Sequence, residues 1–255
     1  MYHRIGPAHN DWERRYAISP ENFAAHMQCL ARQGMRACSL GDFFAWLAGE
    51  RVLPEGSFLL TFDDGFLGVY EHAAPLLQRM NWPATVFLVS RLLGREDEWC
   101  RSDNPSGATY PLLAAEHIVA MREMGFTFHS HTRTHADLTT LSDARLAEEL
   151  RASREDLEAL LGEAVPYLAY PYGRIDERVV VAAREAGYRA AFCTQPGFNR
   201  RDVHPYRIRR LDVFGTDTPA MLARKVFFGS NDGSWRQTLR YYGERLKARL
   251  GASAA

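Results

Sequence analysis

Two short segments of the chain carry the residue types that metal-assisted hydrolysis needs. The first, SFLLTFDDG, is an apolar run that ends in Asp63 and Asp64. The second, FHSHTRTH, places His131 and His135 four residues apart, and on a helical turn that spacing puts both imidazoles on one face. Two neutral imidazoles and one carboxylate can bind a divalent metal and leave one position open for water. Together the two segments predict a catalytic metal site, whereas Asp-Asp-Gly alone would fit an ordinary turn equally well.

Strands are predicted directly before both segments. Residues 58–62 are mainly apolar strand formers bounded by Gly56 and Gly65, and residues 126–130 lead into the histidines. Charged side chains at the end of a buried strand are tolerated only when they are paired or ligated. The carboxylates and the imidazoles are therefore expected to meet at the carboxyl edge of one sheet.

Strand-like and helix-like patterns alternate about seven times along the 255 residues, without a repeat or an obvious linker. This alternation predicts a single-domain α/β fold, a distorted parallel (β/α) barrel of about seven strands with helices outside. The predicted strands cover residues 2–5, 57–62, 84–89, 126–130, 167–170, 188–193 and 206–213. The predicted helices begin at Ser19, Asp42, Phe66, Pro111, Ser142, Asp176 and Thr218.

The barrel is predicted to span residues 1–230, and residues 231–255 form a helical extension. In that extension Trp235, Leu239, Tyr242 and Leu246 follow one side of a basic helix. Such a stripe would pack on the barrel or form a contact surface for a partner, and the sequence leaves both open.

The order of the motifs resembles that of the polysaccharide deacetylases, carbohydrate esterase family 4. The residues that carry the resemblance are TFDDG at 61–65, SHTRTH at 130–135 followed by Leu138, and YPYG at 170–173. The resemblance covers about residues 1–230. It implies a metal-dependent hydrolase that removes an N-acetyl group from an amino sugar.

The resemblance also implies roles for individual residues. Asp64, His131 and His135 would bind the metal, and Asp63 would stay free as the general base. The backbone N–H of Tyr172 would stabilise an oxyanion. Tyr170, two residues earlier, is predicted to contact the substrate. Two His and one Asp suit zinc, with cobalt, nickel and iron as alternatives.

The chain departs from the family pattern at the residue that orients the general base. The family often has Arg two positions before the motif proline, where this chain has Ala169. Arg209 or Arg210 could supply the missing cation, and Arg210 is predicted to lie among the substrate contacts.

The family's late Leu-x-His motif, which supplies the general acid, is also absent. Three histidines are left as candidates for this role: His204, His3 and His129. Of these, His204 is predicted as catalytic.

Composition narrows the function classes. The chain has 31 basic and 31 acidic residues, so its neutral charge gives no sign of nucleic-acid binding. The sequence opens MYHRIG and has no apolar run of membrane-spanning length, which predicts a cytoplasmic protein acting on an acetylated sugar precursor. Two alternatives remain: hydrolysis of a non-sugar amide or acetyl ester, and metal-containing glycan binding without catalysis.

Overall fold

The computed structural model describes residues 1–236 and 239, and its centre is a curled sheet of five parallel strands. The described strands are β1 (Arg4–Ile5), β2 (Ala17–Ile18), β3 (Arg36–Ala37), β4 (Ser57–Phe58), β5 (Thr61–Phe62), β6 (Ala84–Leu88), β7 (Phe126–Ser130), β8 (Tyr167–Ala169) and β9 (Ala190–Phe192). The main sheet has the order β5-β6-β7-β8-β9, while β1 pairs with β2 and β3 pairs with β4, also in parallel.

Helices connect the strands, as parallel pairing requires. They are α1 (Pro20–Arg32), α2 (Leu40–Leu47), α3 (Ala74–Met80), α4 (Ala115–Glu123), α5 (Asp143–Leu161), α6 (Glu177–Glu185) and α7 (Pro219–Phe228). Ser19, Asp176 and Thr218 cap α1, α6 and α7, each accepting a hydrogen bond from a backbone N–H of the first turn.

Two helices begin later than predicted, and one has a different cap. The predicted helix from Phe66 is divided into a π-helical turn, Val69–Ala73, and α3, because Pro75 has no N–H to continue the ladder. The helix predicted from Pro111 begins at Ala115, since Pro111 takes part in a bridge to Glu96. Ser39, not Asp42, caps α2.

The main sheet contains five of the roughly seven strands that the sequence predicts. At one edge a single bridge joins Tyr2 to Phe62, and at the other a single bridge joins Phe192 to Ile208. The start of the predicted strand at 206–213 is instead a 3-10 turn, Pro205–Arg207. The amide of Val213 donates to the carbonyl of Met1 at 3.1 Å, so the first residues of the chain lie beside this late segment.

The hydrophobic core lies between the sheet and its helices. Phe62, Val86 and Phe128 belong to a large buried cluster with residues of α1, α3 and α4, and Leu168 and Ala191 belong to a second cluster with α5 and α6. This packing covers one face of each strand, which leaves the carboxyl ends of the strands to form a polar site.

The predicted helix of the C-terminal extension lies mostly outside the described residues, which include only Trp235, Arg236 and Leu239 of it. Within the part of the chain that the structure covers, no helix has both the length and the apolar character to span a bilayer. The four cysteines, at positions 29, 38, 100 and 193, are all free.

Candidate active site

The predicted metal ligands lie together in one cavity at the carboxyl ends of the strands. Asp63 and Asp64 follow β5, His131 follows β7, and Tyr172 lies beyond β8. All four, with His135, line a cavity of about 500 Å³. In parallel barrels this is the edge that carries active sites. The sequence-based prediction that the three motifs converge is therefore confirmed.

The backbone at the cavity is held in an uncommon conformation. Five non-glycine residues among those described have positive φ, and four of them lie here: Asp64 (71°), Thr132 (68°), His135 (63°) and Tyr172 (59°). Such strain concentrates at functional sites, where the surrounding structure enforces it.

The segment that carries the two histidines is not the helical turn that their spacing suggested. Residues 131–137 form an irregular loop, and Thr132 and His135 both take the left-handed conformation within it. Thr132 stabilises this loop because its Oγ1 accepts from the amide of His135 at 3.2 Å, while its own amide donates to Ser130 Oγ at 3.1 Å. The imidazoles converge through this loop geometry.

The three candidate ligands fit a divalent metal ion. Oδ1 of Asp64 lies 3.3 Å from Nε2 of His131 and 3.2 Å from Nε2 of His135. A tetrahedron with ligand bonds of about 2.0–2.1 Å has edges of about 3.3 Å, so these two separations suit two of its edges. The three ligand atoms all lie within 4.8 Å of one another. Asp64 Oδ1 is buried and has no hydrogen-bond partner among the described residues. An ion would satisfy this otherwise costly buried oxygen.

The ring of His131 is oriented for ligation by its second nitrogen. Nδ1 of His131 lies 2.8 Å from the carbonyl oxygen of Ala169, which can only accept, so Nδ1 carries the proton. The lone pair of Nε2 is then directed toward Asp64. A metal-binding histidine commonly donates its other ring N–H to a backbone carbonyl in this way, which fixes the orientation of the ring.

Asp63 forms a bidentate ion pair with Arg210. The two guanidinium nitrogens donate to the two carboxylate oxygens at 2.6 and 2.8 Å, and both side chains are at least 95% buried. Arg210 is itself held by a hydrogen bond from Nε to the carbonyl of Cys193. Arg210 therefore supplies the cation that Ala169 cannot. The sequence predicted Arg210 to contact the substrate, and in the structure it contacts the carboxylate of Asp63.

Charges in the cavity set the protonation of the carboxylates. Burial opposes ionisation of Asp63, but the Arg210 guanidinium outweighs it and holds the pKa of Asp63 below its ordinary value. Burial likewise opposes ionisation of Asp64, yet the imidazoles of His131 and His135 beside its carboxylate hold its pKa well below the usual range. Burial raises the pKa of the nearby Asp97 to about 6. Asp63 and Asp64 are both ionised at neutral pH.

Replacing Arg210 by methionine is expected to lower the free energy of unfolding by about 3–5 kcal/mol, because Asp63 would be left buried without its counter-ion. Arg210→Lys, which offers one ammonium in place of a planar pair of donors, should lose less. Urea unfolding of the three proteins measures the difference.

Arg209→Met is the matched control for that experiment. Its side chain donates a single hydrogen bond to the carbonyl of Pro196 at a partly exposed position, so a loss of about 1 kcal/mol or less is expected. Equal losses for Arg209→Met and Arg210→Met would contradict a stabilising pair between Arg210 and Asp63.

Aromatic rings pack against the candidate ligands. The indole of Trp99 stacks on the ring of His135 with centroids 4.5 Å apart, and the ring of Tyr172 meets it edge-on at 4.7 Å. Tyr172 is 48% exposed and lines the cavity, as predicted for a substrate-contacting residue. Trp99 comes from the long loop between β6 and α4, so that loop forms part of the cavity wall.

Two of the predicted site residues have different surroundings. Tyr170 lines the cavity, but its side chain is fully buried and its hydroxyl donates to the carbonyl of Tyr206, so it supports the wall from inside. His204 is exposed, does not line the cavity, and caps the turn at 205–207 by accepting from the amide of Tyr206. The proline after His204 favours this turn, which keeps the imidazole away from the metal centre.

Of the remaining histidines, His3 lines the cavity and His129 does not. His129 is buried beside Phe87 and Tyr167, and burial lowers its pKa to about 3, so it is a neutral core residue. His3 follows the bridge at Tyr2, and its Nδ1 is buried without a hydrogen-bond partner among the described residues. His3 is thus the candidate acid with access to the cavity.

Sequence reasoning missed a buried polar cluster at the rim of the cavity. Glu13 is 1% exposed and accepts hydrogen bonds from Arg4, from Asn104, and from the hydroxyl of Tyr110. The guanidinium of Arg4 also lies 3.5 Å from the centre of the Tyr110 ring. The sequence did contain a signal for this cluster: Arg4 lies inside a predicted strand, and a buried charge needs a buried partner.

A family model described as polysaccharide deacetylase matches residues 50–191. Among curated proteins, a poly-beta-1,6-N-acetyl-D-glucosamine N-deacetylase from Staphylococcus epidermidis is 25% identical over 212 residues, which is 78% of this chain and 69% of that protein.

Solved structures agree with this match. IcaB from Ammonifex degensii is 27% identical with a TM-score of 0.73, over 89% of this chain and 94% of IcaB. The deacetylase PplD from Streptococcus pyogenes has a TM-score of 0.75 over 89% of this chain and 96% of its own, and at 21% identity it supports the fold alone. The family match covers more than half of the 255 residues. The chain belongs to the polysaccharide deacetylase family.

Proposed function

We propose that this protein hydrolyses the acetamide of an N-acetylated amino sugar and releases acetate. The observation that carries the proposal is the pairing of Asp63 with Arg210 directly beside the candidate metal ligands. A purely structural metal site is usually closed by four protein ligands, whereas the three candidate ligands here leave one position open. A structural site would also have no use for the additional buried, ionised carboxylate of Asp63 beside it. Non-catalytic glycan binding is therefore the weaker candidate.

We assign Asp64, His131 and His135 as the metal ligands. The short separations of both imidazoles from Asp64 Oδ1 support a shared divalent ion, and zinc is the first choice, with cobalt, nickel and iron as alternatives. When bound, a divalent ion lowers the pKa of a coordinated water toward about 7 and polarises a carbonyl. Of the three ligands only Asp64 would be charged, so the protein would contribute one negative charge to the bound ion.

Asp63 would act as the general base. Its carboxylate is ionised because Arg210 favours the charged form, so it is ready to accept a proton from the attacking water at neutral pH. The bidentate contact also fixes the orientation of the carboxylate, which limits the reorganisation needed during the reaction. The left-handed backbone at Tyr172 would direct its N–H toward the developing oxyanion.

His3 would act as the general acid that protonates the departing amine. This assignment replaces His204 and rests on the position of His3 in the cavity wall. His3 is partly exposed although its Nδ1 is buried, so the other ring nitrogen, Nε2, would exchange the proton with the substrate.

The substrate class follows from the curated relatives. Several of them are named poly-beta-1,6-N-acetyl-D-glucosamine N-deacetylases, which favours an N-acetylglucosamine glycan here as well. Hydrolysis of a non-sugar amide or an acetyl ester uses the same groups and is the second candidate. The predicted cytoplasmic location stays a prediction.

The architecture proposed for this activity is a barrel over residues 1–230. The segments at Tyr2 and Ile208 would act as two further strands beside the five of the main sheet, supported by their parallel bridges to Phe62 and Phe192. The extension at 231–255 stays a prediction.

Acetate release from zinc-loaded protein tests the proposal. The panel contains β-1,6-linked N-acetylglucosamine oligomers, β-1,4-linked oligomers, an acetyl ester and a simple acetanilide. We expect release from a glycan, a loss of about a hundredfold or more in His3→Gln, and little change in His204→Gln. Release only from the ester or the anilide would favour the second candidate, and a larger loss in His204→Gln would restore His204 as the acid.

A further inference from the structure

We propose that Trp12 and Tyr16 form a subsite for the sugar next to the reacting one. This inference rests on the proposed function and names the residues that would bind the neighbouring sugar of the glycan. The surface formed by Trp12 and Tyr16 is separate from the candidate metal ligands and from the rings of Trp99 and Tyr172 that contact His135.

A chain of rings leads from the candidate acid to this surface. The ring of His3 meets Tyr16 edge-on with centroids 5.5 Å apart, and Tyr16 meets Trp12 edge-on at 5.4 Å. All three residues line the cavity and are partly exposed. His3 would protonate the amine of the reacting sugar, so that sugar would lie beside His3. The next sugar of the glycan would then lie toward Tyr16 and Trp12.

The position of Trp12 is fixed by the buried residue that follows it. Glu13 is 1% exposed, forms an ion pair with Arg4 at 2.9 Å, and accepts from the amide of His9 at 2.8 Å. Anchoring by a buried carboxylate with several donors is costly to disrupt, so the segment carrying Trp12 is rigid. A rigid aromatic surface loses little entropy when it binds a ligand.

The same carboxylate joins this surface to the other aromatic wall. Glu13 accepts from Asn104 and from Tyr110, which belong to the loop that carries Trp99. Trp99 and Tyr172 contact His135, whereas Trp12 and Tyr16 are connected to His3. The cavity therefore has two groups of rings at separate catalytic residues, which suits a ligand longer than one sugar.

Aromatic side chains suit a pyranose chemically. Each sugar ring has a face of C–H groups and a rim of hydroxyls, while indole and phenol combine a flat apolar body with one polar group. Tyr16 and Arg15 also line the cavity, and the Arg15 guanidinium lies 5.8 Å from the centre of the Tyr16 ring. These two side chains supply polar groups of the kind that a hydroxyl rim requires. The combination fits a neutral sugar unit of a glycan.

Chain-length dependence tests the subsite. The measurement is kcat/KM for acetate release from β-1,6-linked tetra-N-acetylglucosamine divided by kcat/KM for N-acetylglucosamine. We expect the wild-type ratio to exceed about 10 and Trp12→Ala to lower that ratio about tenfold, which corresponds to about 1.4 kcal/mol of transition-state stabilisation. Trp12→Phe, which retains an aromatic face, should recover most of it.

Two further variants separate the subsite from other roles. Trp99→Ala should lower kcat/KM for both substrates and leave their ratio nearly constant, because Trp99 contacts the candidate ligand His135. Phe198→Ala, at an exposed ring outside the cavity, should change neither rate, and thermal unfolding checks that each variant is folded.

Three outcomes overturn the inference. A wild-type ratio near 1 would identify a single-sugar substrate. If Trp12→Ala lowered kcat/KM equally for both substrates, Trp12 would only support His3 and would not bind a second sugar. Failure of the wild type to release acetate from either sugar would overturn the proposed function, and the subsite with it.

Discussion

Asp63→Asn is expected to lower kcat for acetate release by at least about a hundredfold and by up to about ten-thousandfold, the range for loss of a general base. Asparagine keeps the shape of the side chain and can still accept a hydrogen bond from Arg210, but it cannot take up a proton. Metal content should stay at the wild-type level because Asp64, His131 and His135 are unchanged. Acetate assays and metal analysis of the same preparations give both results.

Asp212→Asn provides a matched control. Asp212 is another carboxylate in the cavity wall, but its Oδ2 accepts from Asn231 and it is not among the candidate ligands. We expect a change of less than about tenfold. If Asp63→Asn retained activity within tenfold of wild type, Asp63 would not be the base and another group would have to activate the water.

Removing the metal should abolish acetate release and destabilise the fold. Asp64 Oδ1 is buried without a hydrogen-bond partner among residues 1–236 and 239, and a bound ion would compensate for that. At an ion concentration a hundred times Kd, binding stabilises the native state by about 2.7 kcal/mol. For a chain of this size that shift raises Tm by several degrees. Thermal unfolding of chelator-treated protein, before and after adding zinc, measures it.

Two variants at adjacent positions, Asp64→Asn and Asp63→Asn, form the matched pair for this test. Asp64→Asn should lose the zinc-dependent rise in Tm because it removes the only charged candidate ligand, whereas Asp63→Asn should keep the rise. Zinc that failed to shift the Tm of the wild type, or that shifted Asp64→Asn equally, would contradict the ligand assignment.

The sequence predicted the location of the site because local signals were enough. An apolar run ending in Asp63 and Asp64, and another ending in His131, each mark a strand followed by polar residues. Parallel strands then bring their carboxyl ends to one edge without further information. The family resemblance agreed with that convergence and separated the roles of the two aspartates.

The remaining parts of the site depend on contacts between distant segments. Arg210 could be suspected from sequence, but its partner could not be identified, because Asp63 lies 147 residues away. His204 was preferred over His3 by its late position in the chain, and the turn that removes it from the cavity depends on local backbone geometry. The burial of Tyr170 and the anchoring of Trp12 by Glu13 likewise follow from tertiary packing.

The contact between the first and last parts of the barrel has a consequence for how the protein folds. Val213 donates to Met1, and Arg210 reaches Asp63 across most of the sequence. Contacts of such long sequence separation form slowly, because the intervening chain must first be ordered. During synthesis the buried carboxylate of Asp63 has no counter-ion until Arg210 has emerged from the ribosome. Catalytic competence therefore requires the segment that carries Arg210, and a chain interrupted before residue 210 would leave Asp63 without its counter-ion.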